Sequence, residues 1–201
     1  MPRSEAGLPF IAATASPRRR ELLSRFWPQG NIIFQVPEFQ EDLGVGKGAE
    51  PADAVRMLTA GKMDALCAQF DLPDDFLAMT ADTLVFCDGA IFGKPADEAQ
   101  AKEMLRSLSG REHSVITGLC LHVRLHDKVE RLESSEVTRV FFAPLCEKQI
   151  TWYIGTGEPF DKAGAYGIQG CGAVLVQRIE GCYYNVMGLP VHRLMCLLQQ
   201  A

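Results

Sequence analysis

The sequence has 201 residues, of which 47% are hydrophobic, and a formal net charge of -5. This length allows one or two domains, while the acidic balance argues against a broad nucleic-acid surface, which usually has a basic face. No apolar run has the length of a membrane span, and the N-terminal residues lack a signal peptide. We therefore expect a cytoplasmic protein that binds neither membranes nor nucleic acids.

The cysteines are odd in number, scattered, and never spaced as a CxxC pair. This usage predicts reduced thiols that mostly pack in the core, and neither a zinc site nor a disulfide framework. The seven positions are Cys67, Cys87, Cys120, Cys146, Cys171, Cys182 and Cys196.

Strand-like and helix-like patterns are mixed along the chain. In chain order they predict a strand at 9–15, a helix from residue 17, a strand at 31–36, a loop from residue 38, a helix at 51–70, strands at 76–87 and 90–92, a helix at 98–108, strands at 113–125 and 129–142, a helix at 145–154, a strand at 173–179 and a helix at 189–198. This order predicts an α/β protein with a mixed sheet covered by helices.

The stretch TASPRRRELL places positive charge at the start of a helix. Ser16 suits the N-cap and Pro17 the first helical position, so the next three arginines fall in the first turn. Cations there oppose the helix dipole. A bound phosphate would offset that cost, because free amide groups and arginines both bind such oxygens. A solvated basic turn that pairs with acidic neighbours is the alternative.

Three other stretches contain candidate polar residues. In TADTLVFCDGAIFGKP, Asp82 lies at the head of or within an apolar strand, where a buried acid needs a partner: a metal, a lysine or a capped turn. Lys94 follows the hairpin, so the return strand is able to bring it toward Asp82. The alternative is that Asp82 caps a turn and Lys94 is a surface residue. The glycine-rich PFDKAGAYGIQGCGAV is typical of backbone that approaches a ligand closely, with Asp161, Lys162 and Gln169 as the polar candidates for reading it; the alternative is a glycine-rich turn packed against a helix. EFQED provides carboxylate oxygens suited to Mg²⁺ in Glu38, Glu41 and Asp42; the alternative is a solvated acidic loop.

Taken in order, six stretches resemble the Maf family of nucleoside triphosphate pyrophosphatases. They are ATASPRRRELL, ADT, GKP, MLRSLSGREHSVITG, EPFDKAGAYGIQG and NVMGLP. The resemblance implies a single domain over residues 1–201, with an elongated mixed sheet, flanking helices and two lobes around a central cleft, related to the inosine triphosphate pyrophosphatases. It also implies a homodimer that uses Mg²⁺, Mn²⁺ or Co²⁺ to hydrolyse a nucleoside triphosphate to its monophosphate and pyrophosphate.

The resemblance also implies roles for residues at the reacting phosphate. Asp82 matches the family's catalytic aspartate, proposed as the base that acts on water, and Glu41 matches its functional glutamate. Both residues are then expected to hold the metal. Lys94 matches the cleft lysine, which we place among the catalytic residues, and Lys62 matches a further basic position that contacts substrate.

Other matches concern the triphosphate and the base. Ser16, Arg18 and Arg19 match the phosphate-binding turn. Arg18, Thr83 and Gln169 match positions that mark the branch acting on dTTP and UTP, and an amide such as Gln169 offers both a donor and an acceptor to a base edge. We therefore predict a dTTP/UTP pyrophosphatase.

The chain departs from the family pattern at two places. Gln40 stands where the acidic loop usually has the first of two adjacent acids, and TADT replaces the more usual GADT. Two other functions stay open: a nucleotide-binding regulator of cell division, which the Gln40 departure favours, and an enzyme for a non-standard base. Turnover and a substrate panel distinguish them.

Overall fold

Strands and helices alternate along the parts of the chain that the computed structural model describes, which are residues 8–27, 32–40, 50–126 and 128–201. The strands are β1 Phe10–Ala13, β2 Ile32–Phe34, β3 Phe76–Cys87, β4 Ala90–Phe92, β5 Glu112–Leu125, β6 Lys128–Phe142 and β7 Val176–Glu180. The helices are α1 Pro17–Phe26, α2 Pro51–Gln69, α3 Glu98–Leu108, α4 Glu147–Gly155, α5 Tyr183–Val186 and α6 Val191–Leu198. Short 3₁₀ helices lie at Glu158–Asp161, Ala163–Ala165 and Gly170–Leu175.

The strands form one mixed sheet in the order β2-β1-β3-β5-β6-β7, with β4 paired to β3. β1 runs parallel to both β2 and β3, whereas β4 and β7 are antiparallel to β3 and β6. β3 is buried along almost its whole length, as its continuous apolar sequence predicts. The predicted α/β class with a mixed sheet is confirmed.

The strand predicted at 173–179 is wrong in its first half. Residues 170–175 form a 3₁₀ helix instead, and β7 begins only at Val176. The Glu158 carboxylate accepts hydrogen bonds from the backbone N–H groups of Cys171 and Gly172, at 2.9 and 3.2 Å. Glu158 thus holds the two residues just before the predicted strand within the 3₁₀ helix, which continues to Leu175.

The chain divides into two compact units. The first contains Met1–Asp82, Thr117–Glu136 and Gly188–Ala201. One of its core clusters lies between α2 and the inner strands, and it includes Ile11, Met63, Leu66, Phe76 and Cys120. The first unit therefore contains the start of α1, the whole of α2 and the first half of β3, which carry five of the predicted site residues.

The second unit contains Thr83–Ile116 and Val137–Met187. Its core joins α3 and α4 to strands β5 and β6, with Leu105, Phe142 and Tyr153 fully enclosed. His113 is buried in this unit, and its Nε2 lies 2.7 Å from the Tyr166 hydroxyl, so the histidine has a structural role in the core.

All seven cysteines are free thiols, which agrees with the predicted reduced state. The prediction that most of them pack in the core is wrong, because only Cys87 and Cys120 are buried. Free cysteine is among the most buried residue types, but the other five cysteines here lie at exposed or partly exposed positions. Within the described ranges, no helix is long and apolar enough to cross a membrane.

Candidate active site

The start of α1 is built as the sequence predicts. The Ser16 side chain is the N-cap and accepts a hydrogen bond from the Arg19 N–H at 3.5 Å, and Pro17 occupies the first turn. The Ser16 N–H donates to the Thr14 hydroxyl at 3.1 Å, which fixes the turn between β1 and α1. No acidic residue lies in this first turn, so the helix start keeps the positive character expected of an anion site.

Two of the three arginines in this turn also organise the protein. Arg19 donates from Nε to the Gly188 carbonyl at 2.7 Å and from Nη1 to the Ala81 carbonyl at 2.9 Å. Arg20 donates to the Thr14 carbonyl at 3.1 Å and lies over the Phe34 ring. Arg18 is half-buried in the first turn. The bonds from Arg19 and Arg20 to backbone carbonyls thus partly offset the cost of placing positive charge at the start of the helix.

Asp82 is paired with Lys62, a lysine of its own unit. The Lys62 ammonium lies 2.6 Å from Asp82 Oδ2, and the two side chains are only 15% and 11% exposed. A mostly buried carboxylate at the centre of β3 therefore has the cationic partner that burial requires. Lys94, one of the partners that the sequence suggested for Asp82, is exposed just after β4 in the second unit.

The packing of α2 on β3 explains why Lys62 reaches Asp82. The Thr80 hydroxyl donates to the Thr59 carbonyl at 2.7 Å. Thr80 and Asp82 point to the same side of β3 because they are two residues apart, and Lys62 follows Thr59 by almost one helical turn. Thr80, the residue that replaces glycine in TADT, is thus a buried contact between the strand and the helix.

The helix also approaches the neighbouring strand closely. A Cβ atom built on Gly118 of β5 would lie 2.8 Å from the Val55 carbonyl oxygen and 3.2 Å from the Thr59 methyl group. Only glycine leaves room for the α2 backbone at this distance. The glycine of the ITG motif therefore sets the depth at which α2, and with it Lys62, sits on the sheet.

The acidic segment begins alongside the same helix. Glu38 exchanges two backbone-to-side-chain hydrogen bonds with Gln69, both at 2.8 Å. The Phe39 ring packs on Gly61, where an added Cβ would lie 2.8 Å from the ring. Gln40 is exposed, and the predicted ligand Glu41 lies outside the described residues, as does Asp42. Residues 38 and 39 therefore lie alongside α2, between its contacts at Gly61 and Gln69.

The other predicted site residues belong to the second unit. Thr83 follows Asp82 on β3 and is half-buried, and Lys94 is exposed. Gln169 is half-buried between the 3₁₀ helices of the glycine-rich segment. In the first unit the structure thus brings Lys62 to Asp82, and it anchors Arg19 on the residue that precedes Asp82.

Two residues that sequence reasoning did not single out hold the glycine-rich segment in place. Glu158 and Tyr153 both bind its backbone, and neither was singled out by charge or spacing. The hydrogen bonds from Cys171 and Gly172 lower the pKa of Glu158, the Cys171 N–H being the main cause. Lys162, a sequence candidate for reading a ligand, instead donates to the Glu158 carbonyl at 2.5 Å and to Asp161 at 2.6 Å. The only available signal was the EPFDK motif itself.

Comparison with a solved structure identifies a protein of similar fold. A HAM1 protein from Coxiella burnetii superposes on 96% of this chain and 100% of its own with a TM-score of 0.51, at 13% sequence identity. At this identity the likeness concerns the fold alone. The sheet and its helices therefore define an α/β protein of the architecture that the HAM1 protein also has.

Sequence comparison then identifies the family. Residues 9–201 match the family described as Maf-like protein, and the chain belongs to the Maf family. It is 46% identical to the dTTP/UTP pyrophosphatase of Symbiobacterium thermophilum over 95% of this chain and 93% of the relative. Identity with the dTTP/UTP pyrophosphatase of Bacillus cytotoxicus is 44% over 95% and 94% of the two chains, and with that of Pyrococcus furiosus 44% over 90% of each.

Proposed function

We propose that this chain is a nucleoside triphosphate pyrophosphatase that hydrolyses dTTP and UTP to the monophosphate and pyrophosphate. Its membership of the Maf family and the names of its full-length relatives support this reaction. The structural observation that carries the proposal is the Arg19 bond to the Ala81 carbonyl, which joins a basic helix start to the residue before a buried aspartate. In the proposed function, this arrangement would set phosphate donors next to a carboxylate base.

The proposed reaction is attack of water at the α-phosphorus with pyrophosphate as the leaving group. Phosphoryl transfer requires mainly positioning and charge neutralisation. Ser16 and Arg18, at the positive start of α1, would bind phosphate oxygens, and Lys62 and Lys94 would neutralise charge on the leaving group. Asp82 would accept the proton of the attacking water.

A divalent metal fits the donors of the first unit. Among the described residues no group of three potential ligands forms a metal cluster, but Mg²⁺ typically takes one or two protein carboxylates plus water and substrate phosphates. The Asp82 carboxylate is of that type, and Glu41 would be the second holder. Mg²⁺, Mn²⁺ or Co²⁺ would supply charge neutralisation and polarise the attacking water.

We assign the selection of the nucleotide base to residues of the second unit. Thr83 and Gln169 would read the edge of the pyrimidine, because a hydroxyl and an amide together offer donors and acceptors to the keto and imino groups. We further propose that the chain functions as a single domain over 1–201, as a homodimer and in the cytoplasm. The first two statements rest on the family resemblance, and the third rests on the scattered, odd-numbered cysteines, which are typical of a reducing compartment.

The test is pyrophosphate release from dTTP, UTP, dCTP and modified nucleotides, with and without Mg²⁺ or Mn²⁺. We expect metal-dependent release that favours dTTP and UTP, and a fall of about 10²- to 10⁴-fold in kcat for Asp82→Asn, the range for loss of a general base. Asp64→Asn is the matched control, because this α2 aspartate forms an exposed ion pair with Arg131. Nucleotide binding without turnover in the native chain would overturn the proposal and favour a regulatory protein.

A further inference from the structure

The backbone after Gln169 is held by a carboxylate. Both oxygens of Glu158 are engaged, Oε1 by the Cys171 N–H at 2.9 Å and Oε2 by the Gly172 N–H at 3.2 Å. Gly170 has a φ of +62°, and a Cβ there would lie 2.5 Å from Glu158 Oε1. Glycine at 170 thus allows the backbone to turn directly onto the carboxylate.

The backbone before Gln169 is held by a phenol. The Gly167 N–H donates to the Tyr153 hydroxyl at 3.0 Å, and Tyr153 is fully buried in the core of the second unit. A Cβ on Gly172 would lie 2.0 Å from the Gly167 carbonyl oxygen, so the two ends of the segment touch. Burial raises the pKa of Tyr153, so the hydroxyl stays protonated as it accepts this bond.

We propose that Tyr153 and Glu158 are positioning residues that clamp residues 168–170 at both ends and thereby set the selectivity of the enzyme for the nucleotide base. The inference rests on the proposed function, in which Gln169 reads the base. Residue 169 lies inside a loop of three residues whose flanking N–H groups are each fixed by a side chain from α4 or the 3₁₀ helix that follows it. An amide placed in this way distinguishes one base from another by the geometry of its hydrogen bonds. A more mobile backbone would reduce that selectivity.

The test is the ratio of kcat/KM for dTTP to kcat/KM for dCTP, which differ at the base edge. A variant that merely reduces the folded fraction lowers both values equally and leaves the ratio unchanged. We expect Tyr153→Phe and Glu158→Gln each to lower the ratio about 10-fold, and Gln169→Ala to lower it at least as much. Tyr183→Phe and Glu147→Gln are the matched controls, since these residues lie on exposed surfaces of the same unit.

A second arm shows whether the clamp acts through Gln169. Adding Tyr153→Phe or Glu158→Gln to the Gln169→Ala variant should leave the ratio where Gln169→Ala alone places it, because positioning has no effect without the amide. An unchanged ratio in both single variants, or additive effects in the double variants, would overturn the clamp while the native enzyme still hydrolyses dTTP. A native chain that releases no pyrophosphate would instead overturn the proposed function, and the clamp with it.

Discussion

Removal of the Lys62 ammonium should destabilise the protein through the charge that it leaves on Asp82. The nitrogen lies 2.6 Å from Oδ2, and both side chains are mostly buried. At an effective dielectric constant of 20, two unit charges at this distance attract by about 6 kcal/mol, most of which offsets the cost of taking both groups out of water. Lys62→Met removes the attraction and keeps the volume, while the desolvated carboxylate remains.

The expected loss is about 3 kcal/mol of unfolding free energy. Removing one partner of a buried ion pair costs about 3 to 5 kcal/mol, and the residual exposure of 15% and 11% favours the lower end. For a chain of this size that corresponds to a decrease in Tm of about 6 to 12 °C. Arg25→Met is the matched control, because Arg25 and Glu21 form an exposed pair on α1 that should contribute less than about 0.5 kcal/mol.

The assay is urea unfolding of Lys62→Met, Asp82→Asn and the double variant. Because the pair acts as a unit, the double variant should be more stable than the sum of the two single losses predicts, by about 2 kcal/mol. Strictly additive losses, or a Lys62→Met variant that unfolds at the native urea midpoint, would refute the argument that the buried carboxylate depends on this ammonium.

Two further perturbations concern other parts of the structure. Burial lowers the pKa of His113 to about 4, so between pH 6.5 and 4 the unfolded chain binds a proton that the folded chain does not. The unfolding free energy of the protein should therefore fall by about 3 kcal/mol from pH 7 to pH 4 through this residue. In urea titrations, the His113→Phe variant should lack this contribution to the pH dependence. Arg19→Lys cannot keep the bonds to both the Ala81 and Gly188 carbonyls, so it should lose about 2 kcal/mol of stability, whereas an unchanged Tm would contradict the bridging role.

Local patterns predicted most of the elements. β3 and α3 begin and end where the continuous apolar run and the helical spacing indicated, and the Ser16 cap starts α1 as expected. These features depend on interactions between residues a few positions apart. The false strand start at 173 had the same local signal, but this residue lies in the 3₁₀ helix over 170–175, whose first turn Glu158 holds through the Cys171 and Gly172 N–H groups.

The candidate site was predictable as a list of residues but not as a set of contacts. The motifs selected Asp82, Lys62 and Lys94, but nothing in their spacing showed that Lys62 would lie 2.6 Å from the Asp82 carboxylate. The observed pair depends on how deeply α2 lies on the sheet, which Gly118 and the bond between Thr80 and Thr59 determine. Sequence spacing contains no information about that depth.

The sequence by itself determined the family, the order of elements and the identity of the polar groups, because motifs, caps and hydrophobic periods are local properties of the chain. Only the tertiary structure decided the partners of those groups. Arg19 meets a carbonyl 169 residues away, and Tyr153 and Glu158 hold the loop around Gln169. Such contacts follow from burial, which obliges each enclosed polar group to bind whichever partner the packing brings within reach.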